Sequence, residues 1–214
     1  LSFDGVDDYV DCGNGLDNIS FPISIYAKVN MNESQGQGFH IFASDTYNSS
    51  TYSGFWLYSS ANVFEIGYGD GNGTGGPSFR RSLSADYILD SKTFEIIGVI
   101  NGPESMEIYI DGENIGGEYS GYGGAMVDLG NPSTIGLYVD NSGNNNYSKG
   151  KVNSLAIFNK SFSDSDAENY NNTLYIEDLI VKYEFNAGTD SILYDHSGNQ
   201  NHGTINGATW ECND

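Results

Sequence analysis

Between Met106 and Ile115, apolar and polar residues alternate into the dipeptide Asp111-Gly112 and out again. A period of two places successive side chains on opposite faces of an extended strand, and Asp-Gly supplies the left-handed backbone that a tight hairpin needs. Similar runs rich in Ile, Val, Tyr and Phe recur at residues 23–29, 54–59, 63–68, 94–100, 106–110, 134–139, 151–158 and 179–185, punctuated by Gly, Asn and Asp. Helical periodicity is nearly absent, and only residues 163–170, where Ser and Asp precede Ala-Glu-Asn, could make a short helical turn. About a dozen short strands predict an all-β fold of two packed antiparallel sheets. A length of 214 residues suits one such sandwich spanning residues 1–214, with 69–76 and 141–146 as long loops and no repeat or linker.

Twenty-nine acidic residues against eight basic ones give a formal charge of −21, which repels nucleic acid and anionic membrane surfaces. The same surplus suits a divalent cation or simple solubility in saline surroundings. No run of 18 apolar residues is present to insert in a membrane. The chain opens on Leu1, which reads as a processed or excised segment. Seven Asn-x-Ser/Thr triplets, headed by Asn18, Asn32, Asn48, Asn72, Asn146, Asn159 and Asn171, point to a glycosylated extracellular protein or to the accidents of an Asn-rich sequence.

Several phrases carry a family resemblance. Residues 1–10 read LSFDGVDDYV; 94–99 followed by 106–112 read as a central strand and an "LYVDG"-type hairpin; 150–163 resemble "GKIDEVRIYNRALS". Residues 181–185 and 195–210 resemble a segment of the form "YxF…DSSGNGNHGTxNGATW". Together they resemble the laminin-G-like, concanavalin-A-like jelly-roll domains, and the resemblance implies a two-sheet antiparallel jelly-roll sandwich. The last segment stands first in the family's usual order, so the order implies a circular permutation, a cut through a tandem array, or strand exchange between copies of the chain.

That resemblance places Trp210 beside Leu1 to Phe3 and brings Cys212 near Cys12. It therefore implies a Cys12–Cys212 disulfide, the alternative being two unpaired thiols. It also implies a structural Ca²⁺ near the turn of Asp4, Asp7 and Asp8. A second oxygen-rich turn, with Asp195, Ser197, Asn199 and His202, lies nearby in such a fold, and the acid of "GKIDEV" is replaced here by Asn153. The expected ligand set is Asp4, Asp8, Asn153, Asp195 and Asn199. Asp-Gly and Ser-Gly-Asn are equally ordinary turn formers.

Sugar recognition needs aromatic faces with amide and carboxylate groups around them. Trp56 and Tyr58, on one strand face by alternation, with Tyr68 and the loop residues Tyr119, Tyr122, Tyr138 and Tyr147, could supply them, although Trp56 at strand spacing also suits a core. Catalysis finds little support. His40, His196 and His202 lack zinc spacing, Glu65 and Glu104 to Glu107 form no Glu-x-Asp-x-x-Glu array, and no Gly-x-Ser-x-Gly elbow exists. The expectation is a non-catalytic extracellular recognition domain that binds glycan or another surface ligand, such as a surface glycoprotein, with structural calcium. The alternative is a glycosylated subunit of a filament or surface layer built by strand exchange.

Overall fold

Asp111 and Gly112 both adopt the left-handed region, at φ 50° and 86°, and close the expected hairpin between Ser105–Ile110 and Glu113–Asn114. The Asp111 carboxylate also accepts the Glu95 amide at 2.9 Å, pinning this turn to the neighbouring strand. The computed structural model describes residues 1–16, 19–31, 38–44, 51–60, 62–73, 76–87, 93–139, 143–170, 177–186 and 189–211.

In chain order the strands are Ser2–Asp4 (β1), Tyr9–Gly13 (β2), Ile23–Met31 (β3), Phe39–Ala43 (β4), Phe55–Ser60 (β5), Val63–Gly69 (β6), Arg80–Asp86 (β7), Thr93–Gly102 (β8), Ser105–Ile110 (β9), Glu113–Asn114 (β10), Glu118–Gly121 (β11), Ser133–Ile135 (β12), Leu137–Val139 (β13), Asn145–Tyr147 (β14), Lys149–Phe158 (β15), Leu179–Glu184 (β16), Ile192–Leu193 (β17) and Gly203–Asn206 (β18). The helix Asp164–Glu168 (α1) starts at Ser163, whose side chain and that of Asp166 form a reciprocal capping box. One sheet runs β1-β15-β3-β8-β9-β10, with β16 also on β15, and a nine-stranded sheet runs β11-β7-β6-β5-β4-β12-β2-β18-β17. All pairings are antiparallel among the described strands.

The seven-stranded sheet is apolar on both faces, which explains why residues 94–100 read as a nearly unbroken apolar run. Its inner face, with Ile25, Phe94, Ile96, Ile108 and Leu155, meets Phe55, Leu57, Phe64 and Ile66 of the other sheet. Its outer face carries Tyr26, Ile97, Val99, Tyr109 and Phe158, covered by Phe162 and by Ala167 of α1. The predicted strand 134–139 is broken instead, because Gly136 at φ 82° turns the chain. Residues after it join β14 in a separate ribbon.

The C-terminal segment completes both sheets within its own chain. Strands β1 and β16 lie end to end along one edge of β15, and β18 pairs with β2. Ser2 and Thr209 exchange two backbone hydrogen bonds, of 2.9 and 3.0 Å. Trp210 packs at the core margin and donates its indole N–H to the Asp190 carbonyl at 2.8 Å.

Asp195 fastens this segment. Its Oδ1 accepts the Lys182 and Ser197 amides, and its Oδ2 accepts the Asn201 amide and the Ser197 hydroxyl, all at 2.7–3.0 Å. Asn199 and Asn201 add side-chain bonds to the carbonyls of Leu179 and Ile180. Burial alone would raise the Asp195 pKa, but these donors outweigh it and hold the carboxyl below its ordinary value. A depressed acid contributes stability above the unfolded pKa of about 3.9 and loses it as pH falls through the folded value. Asp195→Asn is therefore expected to cost about 2–4 kcal/mol in urea unfolding at pH 7. The gap from the parent protein should hold at pH 5 and narrow below about pH 4; a gap independent of pH throughout would remove the assigned role.

Candidate functional site

Trp56 and Tyr58 do share the outer face of the nine-stranded sheet, opposite the core side chains Phe55 and Leu57. Register places Trp56 against Gly67, and a Cβ at residue 67 would stand 2.3 Å from the indole, so the glycine lets the ring lie across the sheet toward Ser82. The indole N–H donates to Glu65 Oε1 at 2.9 Å, while Glu65 Oε2 accepts the Ser84 hydroxyl at 2.8 Å. Arg80 stacks its guanidinium 4.4 Å over the Trp56 ring and 4.7 Å over that of Tyr52. Tyr52, Trp56, Glu65 and Arg80, with Ser82, Ser120 and Gly121, line a cavity of about 290 Å³ open to solvent.

Two expectations for the aromatic set need correction. Trp56 is only 3% exposed and its accessible face carries Arg80, so the indole supports the guanidinium and is no bare platform for a sugar. Tyr68 points the other way, wholly buried in the core, with its ring against Phe21 and its hydroxyl donating to the Gly124 carbonyl at 2.6 Å. Tyr122 is the most exposed aromatic among the described residues, at 83%, and the residues on either side of it tie to the cavity strand: Gly121 pairs with Arg81, and the Gly123 amide donates to the Arg80 carbonyl at 3.0 Å. Tyr119 is engaged by Arg81, whose guanidinium lies 4.6 Å over its ring and also donates to the carbonyls of Pro103 and Gly121.

Beside the cavity, Tyr58, His40 and Tyr138 form a stack, with centroids 4.5 and 4.7 Å apart. Burial, and secondarily the positive charge of Arg80, lower the His40 pKa to about 3, so the imidazole is neutral at physiological pH. Tyr147 lies elsewhere, its ring 6.2 Å from that of Tyr9 and its hydroxyl accepting from Asn145. Arg80 and Tyr52 were missed by sequence reasoning. A signal existed, since Arg80 and Arg81 are the only arginines in this acidic chain.

A second cavity, of about 380 Å³, opens on the other sheet between Lys28, Glu95, Asp111, Glu168 and Tyr170. Lys28 is paired with Glu95 at 3.1 Å, and the Tyr170 ring is stacked on Tyr26 at 4.0 Å, so its charge and aromatic face are already engaged.

The expected cation ligands divide into separate places. Asp4, Asp7 and Asp8 gather at the turn between β1 and β2, with carboxylate oxygens within 4.8 Å of one another. Within this turn Asp8 Oδ2 accepts the Asp4 amide and Asp4 Oδ1 the Val6 amide, at 2.8 and 2.7 Å. Burial, with the charges of Asp4 and Asp7, raises the Asp8 pKa against that amide bond. Asn153 sits on β15 four residues beyond Lys149, the partner of Asp4, or roughly 13 Å along the strand. Asp195 and Asn199 are bound to the chain's own donors and carbonyls, as described above, for a physical reason the turn sequence itself contains: Ser-Gly-Asn supplies donors two and more residues on. An all-oxygen set of three carboxylates suits a hard divalent cation, and Asp4, Asp7 and Asp8 would hold it.

Cys12 is buried, its thiol raised to about 12 by burial against the hydrogen bond with Tyr183; Cys212 lies outside the described residues. So do the sequon residues Asn18, Asn32, Asn48 and Asn171. Asn72 is exposed and Asn146 half-buried. The Asn159 side-chain amide donates to the carbonyls of Ser20 and Pro22, both at 2.9 Å, and so ties two loops. No helix among the described residues is long and apolar enough to cross a membrane.

No match was found among curated proteins. Among solved structures, a candidate carbohydrate binding protein from Bacteroides ovatus ATCC 8483 superposes with a TM-score of 0.64 at 15% identity over 99% of this chain. This chain spans 61% of that protein's length. The CBM40 domain of the Ruminococcus gnavus IT-sialidase, bound to alpha2,3 sialyllactose, superposes with a TM-score of 0.56 at 11% identity, over 79% of this chain and 97% of its own. Identities this low speak for the fold alone. A family description, "Concanavalin A-like lectin/glucanases superfamily", matches residues 4–168 of the sequence, most of the two sheets just described. The chain belongs to the concanavalin A-like lectin/glucanases superfamily.

Proposed function

We propose that this chain is a non-catalytic extracellular recognition domain that binds glycan on the outer face of its nine-stranded sheet. The observation that carries the reading is the open cavity of Tyr52, Trp56, Glu65, Arg80, Ser82 and Ser120, where aromatic rings back a fixed set of hydrogen-bonding groups. Its volume of about 290 Å³ lies at the small end for ligand sites and suits a sugar or two at a chain end. The carbohydrate-binding descriptions of the two structural neighbours agree with it. Glycoside hydrolysis needs two carboxylates flanking one bond. Of the described cavity residues Glu65 is the single acid, and both its oxygens are engaged by Trp56 and Ser84. Asn72, which heads a sequon, is exposed and supports an extracellular setting.

A glycan array probed at high protein concentration, with Ca²⁺ and with chelator, is expected to return binding; silence in both conditions removes the reading. Tyr122→Ala is expected to weaken a bound glycan by about 1 kcal/mol, roughly fivefold in Kd, with no change in thermal stability, since an aromatic face is lost from a rim residue already in water.

Calcium is the second part of the proposal, held by Asp4, Asp7 and Asp8. A raised acid pKa means that the folded chain keeps its proton longer than the unfolded one, so stability falls as pH rises from about 3.9 through the folded value of Asp8. A cation at the turn relieves that loss. At a hundredfold excess over its Kd, Ca²⁺ is expected to add about 2.7 kcal/mol, roughly 5–10 °C in Tm, at pH 7. Asp8→Asn should abolish the response while leaving the cation-free protein as stable or slightly more so; a parent protein whose Tm ignores millimolar Ca²⁺ lacks the site.

A further inference from the structure

We infer that the second cavity, on the outer face of the seven-stranded sheet, takes an amino sugar and holds its ammonium between the carboxylates of Asp111 and Glu168. This is another face of the molecule from the cavity of Trp56 and Arg80, and the two sites stand or fall separately. A volume of about 380 Å³ lies within the range of small-molecule sites. Of its described lining residues three are acids, Glu95, Asp111 and Glu168, against the single ammonium of Lys28. Lys28 sits on Glu95 at 3.1 Å, so an ammonium of the chain's own already occupies one of the three carboxylates. Among the described residues no cation pairs with Asp111 or Glu168. With Lys28 spent, the charge this cavity offers to a ligand is negative.

Local structure puts the two acids on one opening. Gly112 follows Asp111 at φ 86°, and a Cβ there would stand 3.1 Å from the Glu168 Cα, so the glycine lets the β9–β10 turn come close against α1. Ala167, 5% exposed, anchors α1 on the sheet immediately before Glu168. The Asp111 Oδ1 accepts the Glu95 amide at 2.9 Å, which fixes that carboxylate before a ligand arrives and leaves Oδ2 to it. An ammonium between carboxylates makes charge-assisted hydrogen bonds, about twice as strong as those of a hydroxyl. The remaining lining decides what carries the ammonium. A lysine side chain brings a stem of methylenes that seeks apolar surface. Here Thr93, Glu95 and Lys28 present polar groups, and the apolar lining is confined to Ala167 and to Tyr170, whose ring is stacked on Tyr26. A ring bearing hydroxyls matches that wall better than an alkyl stem. The bulk charge of −21 draws in any cation, but it is screened beyond about 8 Å at physiological ionic strength and does not choose among cations.

The test titrates glucosamine, N-acetylglucosamine, glucose and the methylamide of Nα-acetyl-lysine into the whole ¹⁵N-labelled chain at about pH 6, where such amines are protonated, and follows amide chemical shifts. Glucosamine is expected to bind at least fivefold more tightly than the other three and to move the amides of Thr93, Gly112 and Glu168. Glu168→Gln exchanges an exposed side chain and removes one charge from a chain of −21, yet should bring glucosamine down to the level of glucose. Glucosamine binding no tighter than its acetylated form overturns the inference, and so does a preference that survives in a folded Glu168→Gln protein. A lysine analogue that binds as well as glucosamine overturns the sugar and gives the cavity to a protein side chain. Shifts centred on Ser82 and Ser120 overturn the placement, since those residues line the other cavity. Should Glu168→Gln fail to fold, the four-ligand comparison and the shift map on the parent protein still decide. None of these outcomes counts against glycan binding at the cavity of Trp56.

Discussion

Two backbone hydrogen bonds between Ser2 and Thr209 join residues more than two hundred positions apart, and the architecture depends on the closure they represent. Strand β1 is three residues long and could not hold its place on the edge of β15 by its own ladder. It is held from the outer side by Thr209, while β16 continues the same edge and β18 covers β2 in the opposite sheet. The turn carrying Asp4, Asp7 and Asp8 leaves β1, and Gly207 sits against Asp8, so the acidic turn is shaped by both ends of the chain. Asp195 makes this possible by replacing missing ladder partners with a single carboxylate that accepts four donors.

On the far side of the nine-stranded sheet a different constraint operates. An exposed sheet face offers an aromatic ring two uses, to stack on a ligand or to stack on a neighbour. Trp56 has taken the second, under Arg80, and Tyr58 and Tyr138 enclose His40. What the face presents is therefore less a row of bare rings than an arginine lying over rings, with Tyr122 exposed at the rim.

The fold was legible because its signals are local: alternation, the Asp111-Gly112 turn and the capping Ser163 each act within a few residues, and strands of the expected kind stand close to where the pattern puts them. The break at Gly136 was not visible, since a glycine inside an apolar run looks the same whether it continues a strand or turns it. The cavity was only half legible. Alternation placed Trp56 and Tyr58 together, but the stack of Arg80 on Trp56 arises from the pairing of β5 with β6 and β6 with β7, a register no local pattern specifies. Asp195 shows the same limit in reverse: four donors converge on it, and two of the residues supplying them, Lys182 and Asn201, lie 13 and 6 positions away, so a carboxylate that reads as free to bind a cation is already saturated.

The late closure has a consequence for how the chain is made. At about 5–20 residues per second, a ribosome that has completed β1 needs roughly 10–40 s more to deliver Thr209. Throughout that interval the flank of β2 presents unpaired amides and carbonyls, and in its last part so does the outer edge of β15, the kind of edge to which any extended segment can add. Contacts of such wide sequence separation also make folding slow once synthesis ends. Until β16, β18 and Thr209 arrive, the nascent sandwich is incomplete and adhesive, and that segment is the piece that covers its open edges.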